Sequence, residues 1–381
     1  MKYQRISADG HLDLIWLPAD LFTSQASSAM KERMPFVADG PEGLRWTNRR
    51  GAVLGWINGV GASGKRHIPG LIHRADRMAE AGLYRDGDKG IRRPGTPELR
   101  ARDMALDGVD AEVIYGILAI AAKHNDPEAD REMLRIYNDW LNDFCSHDPD
   151  RHIGLACLPQ GDVQAAADEV RRVARMGYKG VELSLSLDMQ PMWDPCWDLL
   201  WQTIDEVNLP LHFHAFPTFA QMNKYSLSGE MLIRQRFTGL AMFQMRIGSI
   251  ITDLMAAAVF ERFPRMRVAF GESGVGWIPY LLNRMDTSWK EQFKNTAIRR
   301  PPSEYWREHC RATFQYDEIG LKLIDEMGAE SLMWGSDYPH MDGIWPDSSE
   351  LIAKQCSGLP AEVTHMITCE NARKFYNLPA S

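Results

Sequence analysis

The feature that most constrains the fold of this chain is the repeated alternation of short β-rich apolar runs with longer stretches of helical periodicity. Strand-like runs lie near 5–11, 112–117, 153–158, 178–185, 209–215, 266–272, 311–316 and 331–336. Helical periodicity is clear at 129–146, 163–176, 193–207, 246–262 and 276–292, and weaker at 318–327. Strands that alternate with helices form a parallel sheet, and eight such units are the number that closes a barrel. The pattern therefore predicts an α/β protein with a (β/α)8, TIM-like barrel.

An open, doubly wound sheet is the alternative arrangement of the same elements. Sheets of that kind normally carry a Gly-rich phosphate-binding turn directly after the first strand. Here the first strand ends in Asp9-Gly10-His11, which is not such a turn. The barrel is therefore the favoured prediction.

One long stretch between the first two predicted strands interrupts the alternation. Residues 14–105 are rich in Pro, Gly, Arg and aromatic residues, with a hairpin-like pattern over 44–57. Because this stretch is too long for an ordinary strand-to-helix loop, we predict a cap over the barrel mouth. A partly disordered surface loop is the alternative. The chain, 1–381, is then a single barrel domain with 14–105 as the inserted cap and 360–378 as a C-terminal helix on the outside.

Composition and charge exclude several classes of function. The 381 residues are 45% hydrophobic and 25% charged, as in an ordinary globular protein, and the formal net charge of −8 argues against nucleic-acid or anionic-membrane partners. The six cysteines are scattered without a Cys-x-x-Cys pair, which is typical of reduced thiols. No apolar run of about 18 residues and no apolar leader occur, so we predict a soluble, cytoplasmic protein.

Polar segments follow four of the predicted strands, at the end where a barrel carries its catalytic groups. Residues two apart on a strand point to the same side, so both members of Asp9-x-His11 and of His212-x-His214 are expected to face the barrel interior. Glu272 ends the sixth strand and Asp337 the eighth. Imidazole nitrogens and carboxylate oxygens suit Zn, Fe or Mn. The sequence thus predicts an enzyme with a divalent metal site.

Several motifs in the same order resemble the amidohydrolase superfamily, in particular the amidohydrolase-2 branch that contains aminocarboxymuconate-semialdehyde and resorcylate-type decarboxylases. They are Asp9-Gly10-His11, residues 210–215, Arg262-Phe263-Pro264-Arg265-Met266-Arg267-Val268, Gly276-Trp277-Ile278-Pro279 with Arg284-Met285-Asp286, and Gly335-Ser336-Asp337-Tyr338-Pro339-His340. The resemblance runs from residue 5 to about residue 378. It implies a metal bound by four residues: Asp9, His11, His214 and Asp337.

Two departures from the family pattern affect the expected chemistry. Asp9 stands where many relatives have a His, and Glu272-Ser273-Gly274 stands where many have a His-Gly-Gly turn whose His transfers a proton. A Glu can act as a general base or a metal ligand, but it is expected to be anionic where the imidazole could be cationic. An anionic Glu is a poorer proton donor than a cationic His, so this replacement argues against a decarboxylase that must protonate a carbon atom of its substrate.

The number of metal ions, one or two, is open at this point. Glu182 lies on the fourth predicted strand, where dinuclear relatives place a bridging carboxylate. Two metal ions that share a carboxylate also share one hydroxide, because together they lower the pKa of the water from which it forms. Glu182, His214 and Glu272 could then complete a second site. The alternative is that Glu182 pairs with a neighbouring Lys or Arg.

The remaining polar and aromatic residues near the strand ends have predicted roles in catalysis and substrate binding. Asp337 is predicted to be both ligand and proton acceptor, with Glu272 as a second catalytic carboxylate. His340, Arg246 and Trp277 are predicted to contact the substrate. His340 follows the eighth strand, Arg246 precedes a helix after the fifth strand and could bind a carboxylate, and Trp277 could line an apolar wall.

Three functions compete on this basis. The leading prediction is a metal-dependent hydrolase in which a metal-activated water cleaves an amide, ester, lactone or thioester of an organic acid. The alternative is a non-oxidative decarboxylase of an aromatic or unsaturated acid. The third is a non-catalytic binding or scaffold protein, which retention of all four ligands disfavours. The expected partner is a small-molecule substrate, and a homodimer is possible.

Overall fold

The computed structural model describes residues 2–62, 64, 66–117, 120, 124–184, 189–215 and 228–380. Its central element is a set of parallel strands that follow the chain in order. They are Ile6–His11, Ala111–Tyr115, the pair His152–Gly154 and Ala156–Cys157, Val181–Glu182, Leu211–His214, Val268–Gly271, Cys310–Phe314 and Leu332–Trp334. We number these the first to the eighth barrel strand. Each coincides with a predicted strand to within a few residues; residue 185 of the fourth prediction lies outside the described residues.

The strands form a closed ring. Neighbours along the chain are hydrogen-bonded in parallel, and the third strand joins the two sheets on either side of Leu155. The seam between the first and eighth strands is closed by backbone hydrogen bonds from Asp337 to Asp9 (N···O 2.8 Å) and from His11 to Tyr338 (2.7 Å). The (β/α)8 barrel prediction is therefore confirmed.

Helices follow the strands on the outside. From the end of the cap region onwards they are Pro97–Asp107, which begins within that region, Pro127–Ser146, Val163–Met176, Asp198–Val207, Gly229–Met242, Ile247–Ala256, Val259–Arg262, Ile278–Ser288, Pro302–His309, Glu318–Lys322, Ile324–Met327 and Ser348–Gln355. The predicted helix over 246–262 is divided in two, because Ala258 adopts a left-handed conformation with φ of 49°.

The helix Val163–Met176 shows how the sequence sets these boundaries. The Asp162 carboxylate accepts a hydrogen bond from the Ala165 amide (3.0 Å), which caps the first turn. Gly177, with φ of 90°, ends the helix in the left-handed conformation that glycine adopts without strain. Between these ends, Ala166, Val170 and neighbouring apolar residues at helical spacing are buried against the barrel.

Residues 14–105 contain short elements of their own. A three-stranded antiparallel sheet is formed by Phe36–Ala38, Arg45–Thr47 and Val53–Trp56, in agreement with the hairpin-like pattern. The short helices are Leu21–Gln25, His73–Glu80 and Leu83–Asp88. Phe22 packs on the buried Trp46, with ring centroids 5.7 Å apart. The role of this region as a cap stays a prediction.

The C-terminal segment forms Ala361–His365, a π-helical turn Met366–Glu370 and Asn371–Phe375. Its end differs from the expected outer position, because Phe375, Tyr376 and Leu378 join the apolar cluster inside the barrel. The Tyr376 ring stacks on His212 at 5.6 Å. Apolar side chains thus fill the interior below the strand ends that carry the site.

Within the described ranges, none of the helices has the length and apolarity needed to span a bilayer. The cytoplasmic location stays a prediction.

Candidate metal centre

Asp9, at the carboxyl end of the first strand, presents one of its two carboxylate oxygens to the barrel interior. Its Oδ2 accepts hydrogen bonds from the Glu272 amide (2.7 Å), the Thr313 hydroxyl (2.6 Å) and the Gln315 amide group (3.3 Å). Its Oδ1 is buried and has no hydrogen-bond donor among the described residues. The three donors therefore fix the carboxylate and leave Oδ1 for a different partner.

Three buried side chains, those of Asp9, His11 and His214, place ligand atoms within 4.8 Å of one another, and the buried Asp337 adjoins this group through His11. His11 Nε2 lies 3.3 Å from Asp9 Oδ1 and 3.0 Å from Asp337 Oδ1, and His214 Nε2 lies 3.4 Å from Asp9 Oδ1. Ligands held about 2.1 Å from a metal at octahedral or tetrahedral angles are about 3.0–3.4 Å apart. In the described part of the chain, none of these four atoms has a hydrogen-bond partner. The donor set fits a divalent cation.

The backbone around the ligands is shaped for this approach. The His214 Nδ1 donates to the Ala215 carbonyl oxygen (2.6 Å), which leaves Nε2 with the lone pair that a metal needs. A Cβ at Gly271 would lie 2.4 Å from the His214 ring, so only glycine fits there. Glu272 and Asp337 have φ of 46° and 57°, a left-handed conformation that strains non-glycine residues.

The electrostatics keep the two aspartates ionised. Burial alone would raise the pKa of Asp9, but the adjacent His214 and His11 lower it below its usual range. The same opposition holds for Asp337, where His340 and His11 lower the pKa against the effect of burial. Ionised carboxylates are the form that binds a metal.

Glu272, which the sequence predicts to be anionic, is buried at the end of the sixth strand. Burial, and then the nearby Asp337, raise the pKa of this carboxyl well above its usual range, so the protonated form is favoured. Its Oε2 lies 4.0 Å from His214 Nε2, at the edge of the ligand cluster. A neutral carboxyl beside the cluster can donate a proton, which an ionised one cannot.

Glu182 is buried on the fourth strand. One carboxylate oxygen accepts a hydrogen bond from the Gly116 amide (3.0 Å), and the other has no partner in the described ranges. No ion pair joins Glu182 to a described Lys or Arg. Neither Glu182 nor Glu272 belongs to a described group whose ligand atoms all lie within 4.8 Å of one another. Metal binding by these two residues stays a prediction.

Sequence reasoning missed Asp13. Its Oδ2 lies 2.8 Å from His340 Nε2, and the other ring nitrogen, Nδ1, lies 3.2 Å from Asp337 Oδ1. The His340 ring stacks on His11 at 4.0 Å. Burial would lower the pKa of His340, but the two carboxylates raise it well above its usual range. The sequence did contain one indication that Asp13 lies near the ligands: it continues the two-residue spacing of Asp9 and His11.

The other two predicted substrate contacts lie further along the barrel rim. Arg246 ends the short 3-10 helix Gln244–Arg246, and its side chain is exposed. Trp277 is half-buried, and its indole N–H donates to the Ser273 carbonyl oxygen (2.9 Å), next to Glu272. Substrate binding by Arg246, Trp277 and His340 stays a prediction.

Comparison with known proteins places the chain in a family. The Amidohydrolase family model, Amidohydro_2, matches residues 46–378. The chain belongs to this family. It is 23% identical over 272 residues to the 2-amino-3-carboxymuconate-6-semialdehyde decarboxylase of Dictyostelium discoideum, covering 70% of this chain and 72% of the relative. It is 27% identical over 273 residues to the gamma-resorcylate decarboxylase of Rhodococcus jostii, covering 65% and 82%.

A solved structure shares the fold. The 5-carboxyvanillate decarboxylase of Novosphingobium aromaticivorans, complexed with manganese and 4-hydroxy-3-methoxy-5-nitrobenzoic acid, superimposes with a TM-score of 0.65 at 18% identity, covering 99% of this chain and 96% of that one. This likeness confirms the barrel of this amidohydrolase-family enzyme.

The prediction of a hydrolase is wrong. Both sequence relatives are decarboxylases, which matches the alternative. The argument for a hydrolase had rested on Glu272, a carboxylate that was expected to be anionic at a position where many relatives carry a His. Burial, and then the nearby Asp337, raise the pKa of this carboxyl and so weaken that argument.

Proposed function

We propose that this amidohydrolase-family enzyme is a metal-dependent, non-oxidative decarboxylase of an aromatic or unsaturated carboxylic acid. The observation that carries the proposal is its alignment, over most of the chain, with decarboxylases of such acids. The geometry supports it, because four buried donor atoms without hydrogen-bond partners converge at the mouth of the barrel.

We infer that one manganese ion is the resident metal. Asp9, His11, His214 and Asp337 would hold it, and the bound cation would supply a site for the substrate carboxylate and a neighbouring oxygen. The manganese of the solved decarboxylase supports this choice over zinc and iron. A single ion is proposed because Asp337 Oδ1 lies 3.0 Å from His11 Nε2, a spacing that fits two ligands of one ion, whereas Glu272 Oε2 lies 4.0 Å from His214 Nε2.

Glu272 is the proposed proton donor. When the carbon–carbon bond to the carboxylate breaks, carbon dioxide leaves and the electron pair stays on the substrate carbon. That carbon takes the proton from the Glu272 carboxyl, which is protonated before the step because burial raises its pKa. Glu272 is then reprotonated from solvent, so no oxidant or reductant is needed.

Substrate contacts are proposed at the rim of the site. The exposed Arg246 is available to a carboxylate or phenolate, and His340 remains 9% exposed beside the ligands. The indole of Trp277 is held in one orientation by its hydrogen bond to the Ser273 carbonyl oxygen, so it would offer the substrate a fixed apolar contact. The predicted homodimer has no further support and stays a prediction.

The proposal is tested with manganese-loaded enzyme and three candidate acids: gamma-resorcylate, 5-carboxyvanillate and 2-amino-3-carboxymuconate-6-semialdehyde. We expect release of carbon dioxide from at least one of them. In heavy water the product should carry one deuterium on the carbon that lost the carboxylate. In water enriched with oxygen-18 the product of either aromatic acid should carry no new label.

Asp337→Asn should abolish carbon dioxide release. The control Asp168→Asn, at a surface carboxylate whose side chain is 64% exposed, should retain it. Turnover of these acids with oxygen-18 in the product and no carbon dioxide would refute the proposal.

A further inference from the structure

Asp13 is a buried carboxylate, and capping the helix that follows it does not explain why it is buried. It precedes the short 3-10 helix Leu14–Trp16 at the position where an Asp normally caps the helix, yet its side chain makes no capping hydrogen bond. The side chain is 2% exposed and instead lies 2.8 Å from His340 Nε2. A buried ionised group is costly unless it is paired, so this contact is what accommodates Asp13.

His340 in turn touches two of the four residues around the candidate metal position. Its Nδ1 lies 3.2 Å from Asp337 Oδ1, at ion-pair distance. Its ring stacks on that of His11, with centroids 4.0 Å apart and an interplanar angle of 22°. One ring therefore contacts a ligand from the first strand and a ligand from the eighth, across the seam that closes the barrel.

We propose that Asp13 is a positioning residue that acts through His340 to hold His11 and Asp337 in the geometry that binds the metal. The inference rests on the proposed function insofar as that function supplies the metal. Asp13 fixes the rotation of the His340 ring by binding Nε2. The fixed ring then orients two ligands. Its Nδ1 holds the Asp337 carboxylate at ion-pair distance, and its face packs on the face of the His11 ring.

The arrangement matches what holds metal ligands in general. Groups that orient the ligands without touching the ion commonly change metal affinity by about 10–100-fold when they are removed. The other ligands have such supports already: Thr313 and Gln315 hold Asp9, and the Ala215 carbonyl holds His214. Asp13 with His340 supplies the corresponding support on the opposite side of the cluster.

The test is a titration of the purified, metal-depleted full chain with Mn²⁺, measured by the loss of the free-ion electron paramagnetic resonance signal. We expect Asp13→Asn to weaken Mn²⁺ binding by about 10–100-fold, while the thermal melting temperature of the metal-free protein falls no more than in the control variant Asp130→Asn described below. His340→Asn should produce a loss of similar size. Because both act through one contact, the double variant should lose no more than the larger single loss.

Asp130→Asn is the matched control. Asp130 forms a comparable buried pair with His124 (Oδ1···Nδ1 2.6 Å), and it has no contact with the four ligands in the described structure. It should cost a similar amount of stability and leave Mn²⁺ affinity unchanged. If Asp13→Asn does not fold, His340→Asn alone carries the test.

Equal Mn²⁺ affinity in the folded variants and the wild type would overturn the positioning role, as would losses that add in the double variant. These outcomes concern binding alone. A wild type that binds Mn²⁺ and hydrolyses the candidate acids without releasing carbon dioxide would refute the proposed decarboxylase and leave the positioning role intact.

Discussion

At the scale of single residues, the site depends on small side chains where strands approach the ligands. A Cβ at Gly335 would lie 2.3 Å from the Cβ of Asp9 and 2.9 Å from its backbone nitrogen. Real Cβ atoms do not approach other atoms so closely, so any larger residue must push the first strand away from the eighth. Gly335 thus belongs to the structural basis of the metal centre although it carries no functional group.

Gly335→Ala should therefore disturb both stability and metal binding. Forcing extra atoms into a tightly packed interior costs about 1–3 kcal/mol, and the displaced atoms here belong to a proposed ligand. We expect a lower urea midpoint and weaker Mn²⁺ binding. Gly161→Ala is the control, since a Cβ there would meet nothing within 4 Å. Wild-type Mn²⁺ affinity in Gly335→Ala would contradict the prediction.

Glu272→Gln separates proton donation from metal binding. Glutamine has nearly the same shape but cannot donate the proton, so kcat should fall by about 10²–10⁴-fold. Mn²⁺ affinity should change little, because Glu272 Oε2 lies 4.0 Å from His214 Nε2, farther than the 3.0–3.4 Å between the proposed ligand atoms. Both quantities are measured on the same preparation. A large loss of Mn²⁺ affinity would make Glu272 a ligand, and an unchanged kcat would remove it from catalysis.

At the scale of secondary-structure elements, apolar runs and turn signals predict the barrel strands well, because buried parallel strands need continuous apolar sequence. Helix interruptions are less visible. Ala258 gives no sequence signal for the left-handed conformation that divides the helix predicted over 246–262. Contacts between helices distant in sequence are also hidden, since they depend on packing around the closed barrel.

One such contact makes stability depend on pH. Asp107, at the end of the helix Pro97–Asp107, accepts hydrogen bonds from the Ser348 amide (2.9 Å) and hydroxyl (2.5 Å) of the helix Ser348–Gln355. Burial raises the pKa of Asp107 to about 7. The folded state therefore holds this proton more tightly than the unfolded chain, whose Asp pKa is about 3.9. The stabilising contribution is full below about pH 4 and is lost as pH rises through about 7.

Asp107→Asn should flatten this dependence, because asparagine does not ionise yet can still accept from Ser348. Between pH 5 and pH 8 the urea midpoint of the wild type should fall more than that of the variant. The difference corresponds to a few kcal/mol at most, on the order of 1.4 kcal/mol for each unit of pKa shift. The exposed Asp168→Asn should follow the wild type. Parallel pH profiles for wild type and Asp107→Asn would disprove the assignment.

At the scale of the whole molecule, the sequence predicts where ligands lie but not what supports them. Strand ends and motif order are enough to predict Asp9, His11, His214 and Asp337 as neighbours, and the structure brings them together. The role of Asp13 is not predictable from the sequence, because its partner His340 is more than 300 residues away along the chain. The raised pKa of Glu272 is not predictable for a similar reason, since it depends on burial and on Asp337 across the barrel.

The attachment of the 14–105 region to the barrel is a further long-range feature. Asp347, in the segment after the eighth strand, accepts two hydrogen bonds from Arg77 (3.0 and 2.7 Å) and one from Arg74 (2.6 Å). Both arginines lie on the helix His73–Glu80. Paired hydrogen bonds from a guanidinium to a carboxylate are among the stronger polar contacts. These contacts tie the inserted region to the end of the barrel that carries the site.

Asp347→Asn should loosen the inserted region selectively. Asparagine keeps the shape but removes the charge that attracts both arginines. We expect faster amide hydrogen exchange in the helices His73–Glu80 and Leu83–Asp88, and unchanged exchange in the barrel strand Val268–Gly271. If the region caps the substrate site, KM should rise more than kcat falls.

Glu80→Gln provides the matched control for this prediction. Glu80 also pairs with Arg77, but its side chain is 63% exposed and it lies on the same helix, so the pair does not connect to the barrel. Exposed pairs of this kind contribute about 0–1 kcal/mol, and their loss should leave exchange in the inserted region as in the wild type. Equal exchange in Asp347→Asn and Glu80→Gln would show that Asp347 does not fasten the inserted region. An increase confined to Asp347→Asn, together with a raised KM, would support its position over the substrate site.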